Sequence, residues 1–248
     1  MRIAVPALPD DPQGPFPPAS TALRHPDGLL AIGGDLTPER LLNAYRHGIF
    51  PWYSEHQPVM WWCPDPRTVF RTDAVKLSSR LRRSLRQNTW TVRADTAFAE
   101  VIAACADTPR RGQRGTWILP EMRAAYIEMH RLGHAHSVEV YDGPQLVGGI
   151  YGMAIGRLFF GESMYSARSG GSKVALAALA YRLHEWGWPL IDAQVENEHL
   201  ISLGALSCPR EAFLRQVAEL TAYPSPAGSW TERFGALPAS ALARSAPE

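Results

Sequence analysis

The chain has 248 residues, of which 46% are hydrophobic and 20% charged, and its formal net charge is +1. Such a composition gives a globular protein able to bury a full core; it excludes a disordered chain and one whose overall field attracts nucleic acid. Cys63, Cys105 and Cys208 are odd in number and lack CxxC spacing, which argues against a disulfide framework or a structural zinc site. With no signal-peptide pattern and no apolar run of about 18 residues, the expectation is a cytoplasmic protein without membrane contact.

In chain order, residues 1–36 are rich in Pro and Gly and read as ordered loop with short extended pieces. A helix follows, capped by Thr37, with Pro38 in its first turn, Leu41, Leu42 and Tyr45 on one stripe and Gly48 at its close. The next stretch, "GIFPWYSEHQPVMWWCPDPRTVF", packs three tryptophans and four prolines together and reads as a rigid, aromatic-lined loop. Between residues 67 and 93, eight basic side chains (Arg67, Arg71, Lys76, Arg80, Arg82, Arg83, Arg86, Arg93) face one acid, Asp73. Helices are predicted over 96–106 and 120–132. The period then changes, and "HSVEVYDGPQLVGGIYGMAIGRLFFGES" predicts three antiparallel strands with turns at Asp142-Gly143 and near Gly156. The helical pattern "SKVALAALAYRLHEWG" precedes a strand "LIDAQV", and a last helix starts at "PREAFLRQVAEL".

A strand-helix-strand crossover of this length makes the third strand and "LIDAQV" parallel neighbours in one sheet, so the fold is mixed α/β. The expected organisation is a small domain over residues 1–68, a larger one over 69–234, and a flexible tail over 235–248.

Three polar groups converge on the ends of that parallel pair: Glu162 after the third strand, Asp192 and Gln194 on the next. Ligands in such sheets sit beyond the carboxyl ends of parallel strands, so Asp192 and Glu162 are either proton-handling residues or buried acids with structural partners, and Gln194 by itself favours the structural reading. The glycines of "ARSGGSK" suit either a phosphate cradle or a plain helix-start turn. The basic run "SSRLRRSLRQN" is either a solvated helix face or, with one or two of Trp52, Trp61, Trp62 and Trp117, a surface for a single-stranded nucleic-acid end. His134, His136 and His199 lack metal-ligand spacing and read as structural, and Cys105 as an inert core residue.

"GLLAIGGDLTPERLLNAYRHGIFPWY", "WWCPDPR", "GTWI", "GHAHSVEVY", "LVGGIYG", "FFGESMYS", "LIDAQV" and "HLISLGA" together resemble the leucyl/phenylalanyl-tRNA–protein transferase family, in order from about residue 16 to about residue 220. The resemblance implies an α+β arrangement, a small N-terminal domain joined to a C-terminal domain of the GCN5-related N-acetyltransferase fold. It implies transfer of leucine or phenylalanine, and methionine less readily, from tRNA to proteins beginning with arginine or lysine, which marks them for the N-degron route. Asp192 and Gln194 fall on the family's catalytic pair and Glu162 on the acid beside it. Trp52 and Trp117 match the aromatics that hold the terminal adenosine, and Ile150, Phe159, Met164, Leu176 and Ile191 match the aminoacyl pocket. Strict strand alternation sets Ile191 opposite Asp192, at odds with a shared pocket. The notable departures are Cys63 where serine is expected, Ala193 where cysteine is frequent, and Gly171 where alanine is usual. Arg80 and Arg83 are the candidates for the tRNA backbone. Neither metal nor dissociable cofactor is required, and a monomer is expected. The competing readings are a coenzyme A-dependent N-acetyltransferase and a non-catalytic RNA-end-binding protein.

Overall fold

The structure, a computed structural model, describes residues 5–108, 116–224 and 228–243. The N-terminal part is a three-stranded antiparallel sheet, β1 (Leu29–Ile32), β2 (Phe50–Pro51) and β3 (Met60–Trp62), ordered β1-β3-β2, with α1 (Pro38–Arg46) between its first two strands. Local chemistry starts α1 where expected: Thr37 Oγ accepts the Arg40 N–H, Pro38 occupies the first turn, and Leu41, Ala44 and Tyr45 are buried. The tryptophan-rich segment is therefore not a loop throughout. Its middle is a hairpin closed by the Trp52 N–H on the Met60 carbonyl at 2.9 Å.

The large sheet has eight strands in the order β10-β4-β9-β8-β7-β6-β5-β11. They are β4 (Arg67–Arg71), β5 (Thr91–Ala94), β6 (Ala135–Asp142), β7 (Gln145–Ile155), β8 (Leu158–Ser166), β9 (Leu190–Asp192), β10 (Leu206–Cys208) and β11 (Leu237–Pro238). Its helices are α2 (Ser79–Leu85), α3 (Phe98–Asp107), α4 (Pro120–Arg131), α5 (Gly171–Glu185), α6 (Glu198–Ser202), α7 (Arg210–Thr221) and α8 (Thr231–Phe234). The β6-β7-β8 meander and the α5 crossover follow the sequence pattern, and β8–β9 is the parallel pair. All other strand pairings of this sheet are antiparallel, so the fold is mixed α/β.

Two cores flank the sheet. On one face Leu41, Tyr45 and Trp61 of the N-terminal part share a cluster with Tyr126, Phe160 and Phe213, so the two parts bury one continuous apolar region. On the other, α5 supplies Val174, Leu176 and Leu179 against Ile150, Phe159 and Ile191. The approach of α5 is close: a Cβ on Gly171 would lie 2.3 Å from the Val147 carbonyl, and one on Gly148 2.5 Å from Gly171 Cα. Of the segment expected to form a tail, residues 235–243 are packed: Leu237 pairs with Val92 in β5, and Leu237, Ala239 and Ala243 are buried. Apolar residues too sparse to signal an element gain order from the open edge of β5.

Candidate active site

The site arises where β8 and β9 part. They pair only from Leu158–Leu190 to Phe160–Asp192. Beyond that point the β9 chain stays with β4, through Ala193 N–H to the Thr68 carbonyl at 2.9 Å and Thr68 N–H to the Gln194 carbonyl at 3.0 Å. Strand β8 instead continues along β7 to Ser166. Between them opens a cavity of about 490 Å³ at the carboxyl ends of the parallel pair.

One lip is built on Asp192. Its carboxylate has no exposed surface and takes a bidentate pair from Arg67, Nε at 2.8 Å and Nη2 at 2.6 Å, with Arg67 equally buried. Burial alone would depress the guanidinium, but the Asp192 charge outweighs it and holds Arg67 above its ordinary value. The Arg67 guanidinium also lies over the rings of Phe50 and Phe213, at 4.8 and 4.6 Å. Asp192 Oδ1 further accepts the Gln194 N–H at 3.0 Å, which fixes Gln194 in the left-handed region at φ 52°. The strand therefore ends at Asp192, and the chain turns at Gln194. The Gln194 amide nitrogen is buried with no hydrogen-bond partner among the described residues, so the cavity wall carries an unmade donor.

The other lip is built on Glu162. The β7–β8 register jumps from Tyr151↔Ser163 to Gly152↔Gly161, leaving Glu162 as the extra residue of a bulge. The bulge reverses side-chain parity, so Glu162 faces the N-terminal part while Met164 joins Ile150 on the α5 face. The Tyr45 hydroxyl donates to Glu162 Oε1 at 2.6 Å and the Tyr126 hydroxyl to Oε2 at 3.1 Å, and the two hydroxyls also contact each other. Burial pushes the Glu162 carboxyl up to about 7, against the pull of both tyrosines; nearby Asp192 adds to the rise and Arg67 opposes it.

Ile150, Met164, Leu176, Ile191 and Phe70 form the apolar wall, and Trp52 and Trp117 also line the cavity. The structure thus brings together Glu162, Asp192, Gln194, Trp52, Trp117, Ile150, Met164, Leu176 and Ile191. Ile191 lines the cavity although its side chain and that of Asp192 lie on opposite faces, because the cavity cuts across the sheet at the point of divergence. Phe159 does not line it: it is 1% exposed, packed in the core with its ring 5.8 Å from Trp230. Arg80 and Arg83 stand apart, exposed on α2, which packs at the start of α5 through Leu81.

Sequence reasoning missed Arg67, counted there with the surface charges, and the two tyrosines. The signal for Tyr45 was its place on the apolar stripe of α1; for Arg67 it was the run Thr68-Val69-Phe70 that follows. His199, read as structural, is exposed and lines the cavity, whereas His136 is buried with Nδ1 2.8 Å from Asp95 and its ring stacked on Trp230. The "ARSGGSK" loop is a helix-start turn: Gly170 is left-handed at φ 94°, and Ser166 Oγ accepts the Ser172 N–H at 2.8 Å. Among the described residues, no three His, Cys, Asp or Glu side chains cluster as a metal site, and no helix is long and apolar enough to cross a membrane.

A cavity at the parting of a parallel pair, apolar on one wall and bearing a carboxyl and an amide on its lips, is a candidate ligand site of a mixed α/β enzyme. Comparison with known proteins narrows this class. The model of the leucyl/phenylalanyl-tRNA protein transferase family matches residues 69–218, and that of the family's N-terminal domain residues 34–65. A leucyl/phenylalanyl-tRNA–protein transferase of Xanthomonas campestris is 69% identical over 236 residues, covering 95% of each chain. The Xylella fastidiosa relative is 63% identical over 224 residues, 90% of this chain and 92% of its own. The chain belongs to the leucyl/phenylalanyl-tRNA–protein transferase family and is an aminoacyltransferase.

Proposed function

We propose that the protein moves leucine or phenylalanine, and methionine less readily, from the 3′ end of its tRNA to the α-amino group of proteins beginning with arginine or lysine. The observation that carries the reading is the cavity between β8 and β9, which joins an apolar wall to the Gln194 and Glu162 side chains in one crevice. The aminoacyl side chain lies against Ile150, Met164, Leu176 and Ile191, while Trp52 and Trp117 take the terminal adenosine. Arg80 and Arg83 meet the tRNA backbone. The protein works as a cytoplasmic monomer, and its products enter the N-degron route.

Aminolysis of an ester is downhill, so catalysis here consists of holding an amine against the carbonyl carbon and stabilising charge as the tetrahedral intermediate forms. Gln194 is too weak a base to keep a proton; its free amide N–H is suited to orienting a reacting oxygen. Asp192 acts through Gln194, because Arg67 and the Gln194 backbone already occupy its carboxylate. A β-branched side chain misfits the neck of the apolar wall at a cost of about 1–3 kcal/mol. Against acetyl transfer from coenzyme A, one of the backbone N–H groups that would cradle its pyrophosphate, that of Ser172, already donates to Ser166 Oγ. Incubating the protein with a peptide beginning in arginine, once with leucyl-tRNA and once with acetyl-CoA, tests this. The leucylated peptide is expected only in the first; an acetylated peptide without tRNA would overturn the reading.

A further inference from the structure

The contacts among Tyr45, Tyr126 and Glu162 form a closed ring: Tyr45 to Oε1, Tyr126 to Oε2, and hydroxyl to hydroxyl. Each contact needs one proton between its oxygens, and the two hydroxyls bring only two. When the carboxyl is charged both hydroxyls donate to it; a proton on the carboxyl frees one of them to donate to the other, so the ring accommodates the proton. It lies at a cavity wall, with Tyr45 on α1 and Tyr126 on α4, both fully buried. We propose, resting on the transfer activity above, that this ring is the proton store of the reaction: Glu162 receives the attacking amine's proton, and Tyr45 and Tyr126 are its positioning residues.

The step balances without any other reactant. The amine nitrogen bonds to the ester carbonyl carbon and its proton passes to the Glu162 carboxylate, closing the ring. The bond from that carbon to the ribose oxygen then breaks, and the ring returns its proton to the departing oxygen, giving a free hydroxyl and an amide. Among the described residues, the groups facing Glu162 fit this cycle. Tyr45 and Tyr126 donate to it from α1 and α4, and their own hydroxyls are held well above the ordinary tyrosine range by burial and by the Glu162 charge, so they stay protonated. From β9 and β4, Asp192 and Arg67 face it as a pair of cancelling charge. From β7 the Tyr151 ring lies 5.8 Å from the Tyr126 ring, and from β8 the Phe160 ring lies 5.1 Å from Tyr45. The carboxyl value of about 7 places the exchange in the neutral range.

Two readouts test the store. The infrared carboxyl C=O band, followed by acidification of the protein alone, is expected to titrate near neutrality, to vanish in Glu162→Gln, and to move to higher pH in Tyr126→Phe and Tyr45→Phe. Each phenylalanine removes a donor that favours the carboxylate, a shift of about one pH unit. The acid limb of the single-turnover transfer rate, measured with one acceptor throughout, moves by the same amount, and Glu162→Gln slows transfer about 100-fold or more. A purely structural role for the tyrosines would lower stability in both variants and leave the limb in place. An unmoved limb with transfer intact, or no titrating band removed by Glu162→Gln, overturns the proposal. Absence of transfer by the wild-type protein overturns the functional reading itself and with it the proton's route.

Discussion

Replacing Arg67 by Met removes one partner of a pair in which neither side chain is exposed. Two charge-assisted hydrogen bonds, at 2.8 and 2.6 Å, disappear and leave the Asp192 carboxylate buried and unpaired. The expected loss is about 3–5 kcal/mol, because stripping one partner from a buried pair exposes the full desolvation cost of the other. Asp192→Leu should cost a similar amount, for it strands a guanidinium whose Nη1 already lacks a hydrogen-bond partner among the described residues. The double variant replaces both by apolar groups and loses chiefly the acceptor for the Gln194 N–H, about 1 kcal/mol. The two substitutions should therefore couple by at least about 5 kcal/mol in a double-mutant cycle. Urea unfolding followed by circular dichroism, comparing midpoints and slopes, measures each corner. Single losses below about 1 kcal/mol, or additive ones, would refute the buried-pair reasoning. Transfer should stay absent in the stable double variant, since Gln194 is no longer held; recovery of activity with recovery of stability would make Asp192 purely structural.

The Glu162 value adds a pH term to stability. Its carboxyl is raised when folded, so its stabilising contribution is present below about 4.5 and is lost as pH rises towards 7. Glu162→Gln should flatten that fall, which amounts to at most about 3 kcal/mol; parallel stability curves for the two proteins would contradict the burial of the acid. Leu176→Phe should narrow the apolar wall and lower kcat/KM for phenylalanine relative to leucine by about tenfold, and an unchanged ratio in paired transfer assays would place the aminoacyl side chain elsewhere. Alanine at both Arg80 and Arg83 should weaken tRNA binding and reduce the slope of log affinity against log salt by about 1.8; an unchanged slope would leave α2 a solvated face.

The parts of the fold that could be read from sequence are those set by local pattern. The β6-β7-β8 meander alternates or runs apolar between turn residues, and the α5 crossover makes β8 and β9 parallel neighbours almost by necessity. The parts that could not be read depend on distant partners. Arg67 meets Asp192 across 125 positions, and nothing in a run of basic residues marks which one leaves the surface. The bulge at Glu162 shows only in the pairing of β8 with β7, so period-two reasoning could find the acid but not the face it occupies. Phe159 followed alternation into the core while the cavity opened beyond it. Leu237 and Pro238 form a strand only because β5 offers an edge. For the site, the motifs pointed to segments that meet at one cavity; the ring around Glu162 needed two helices whose tyrosines looked like ordinary core.

Transfer chemistry between β8 and β9 is tested most directly by mass spectrometry of an arginine-terminated acceptor after incubation with leucyl-tRNA, using wild-type protein and Gln194→Ala. One added leucine on the acceptor's α-amino group is expected with the wild type, and none with a variant that still folds and binds tRNA. Equal leucylation by both proteins would show that the chemistry does not take place between β8 and β9.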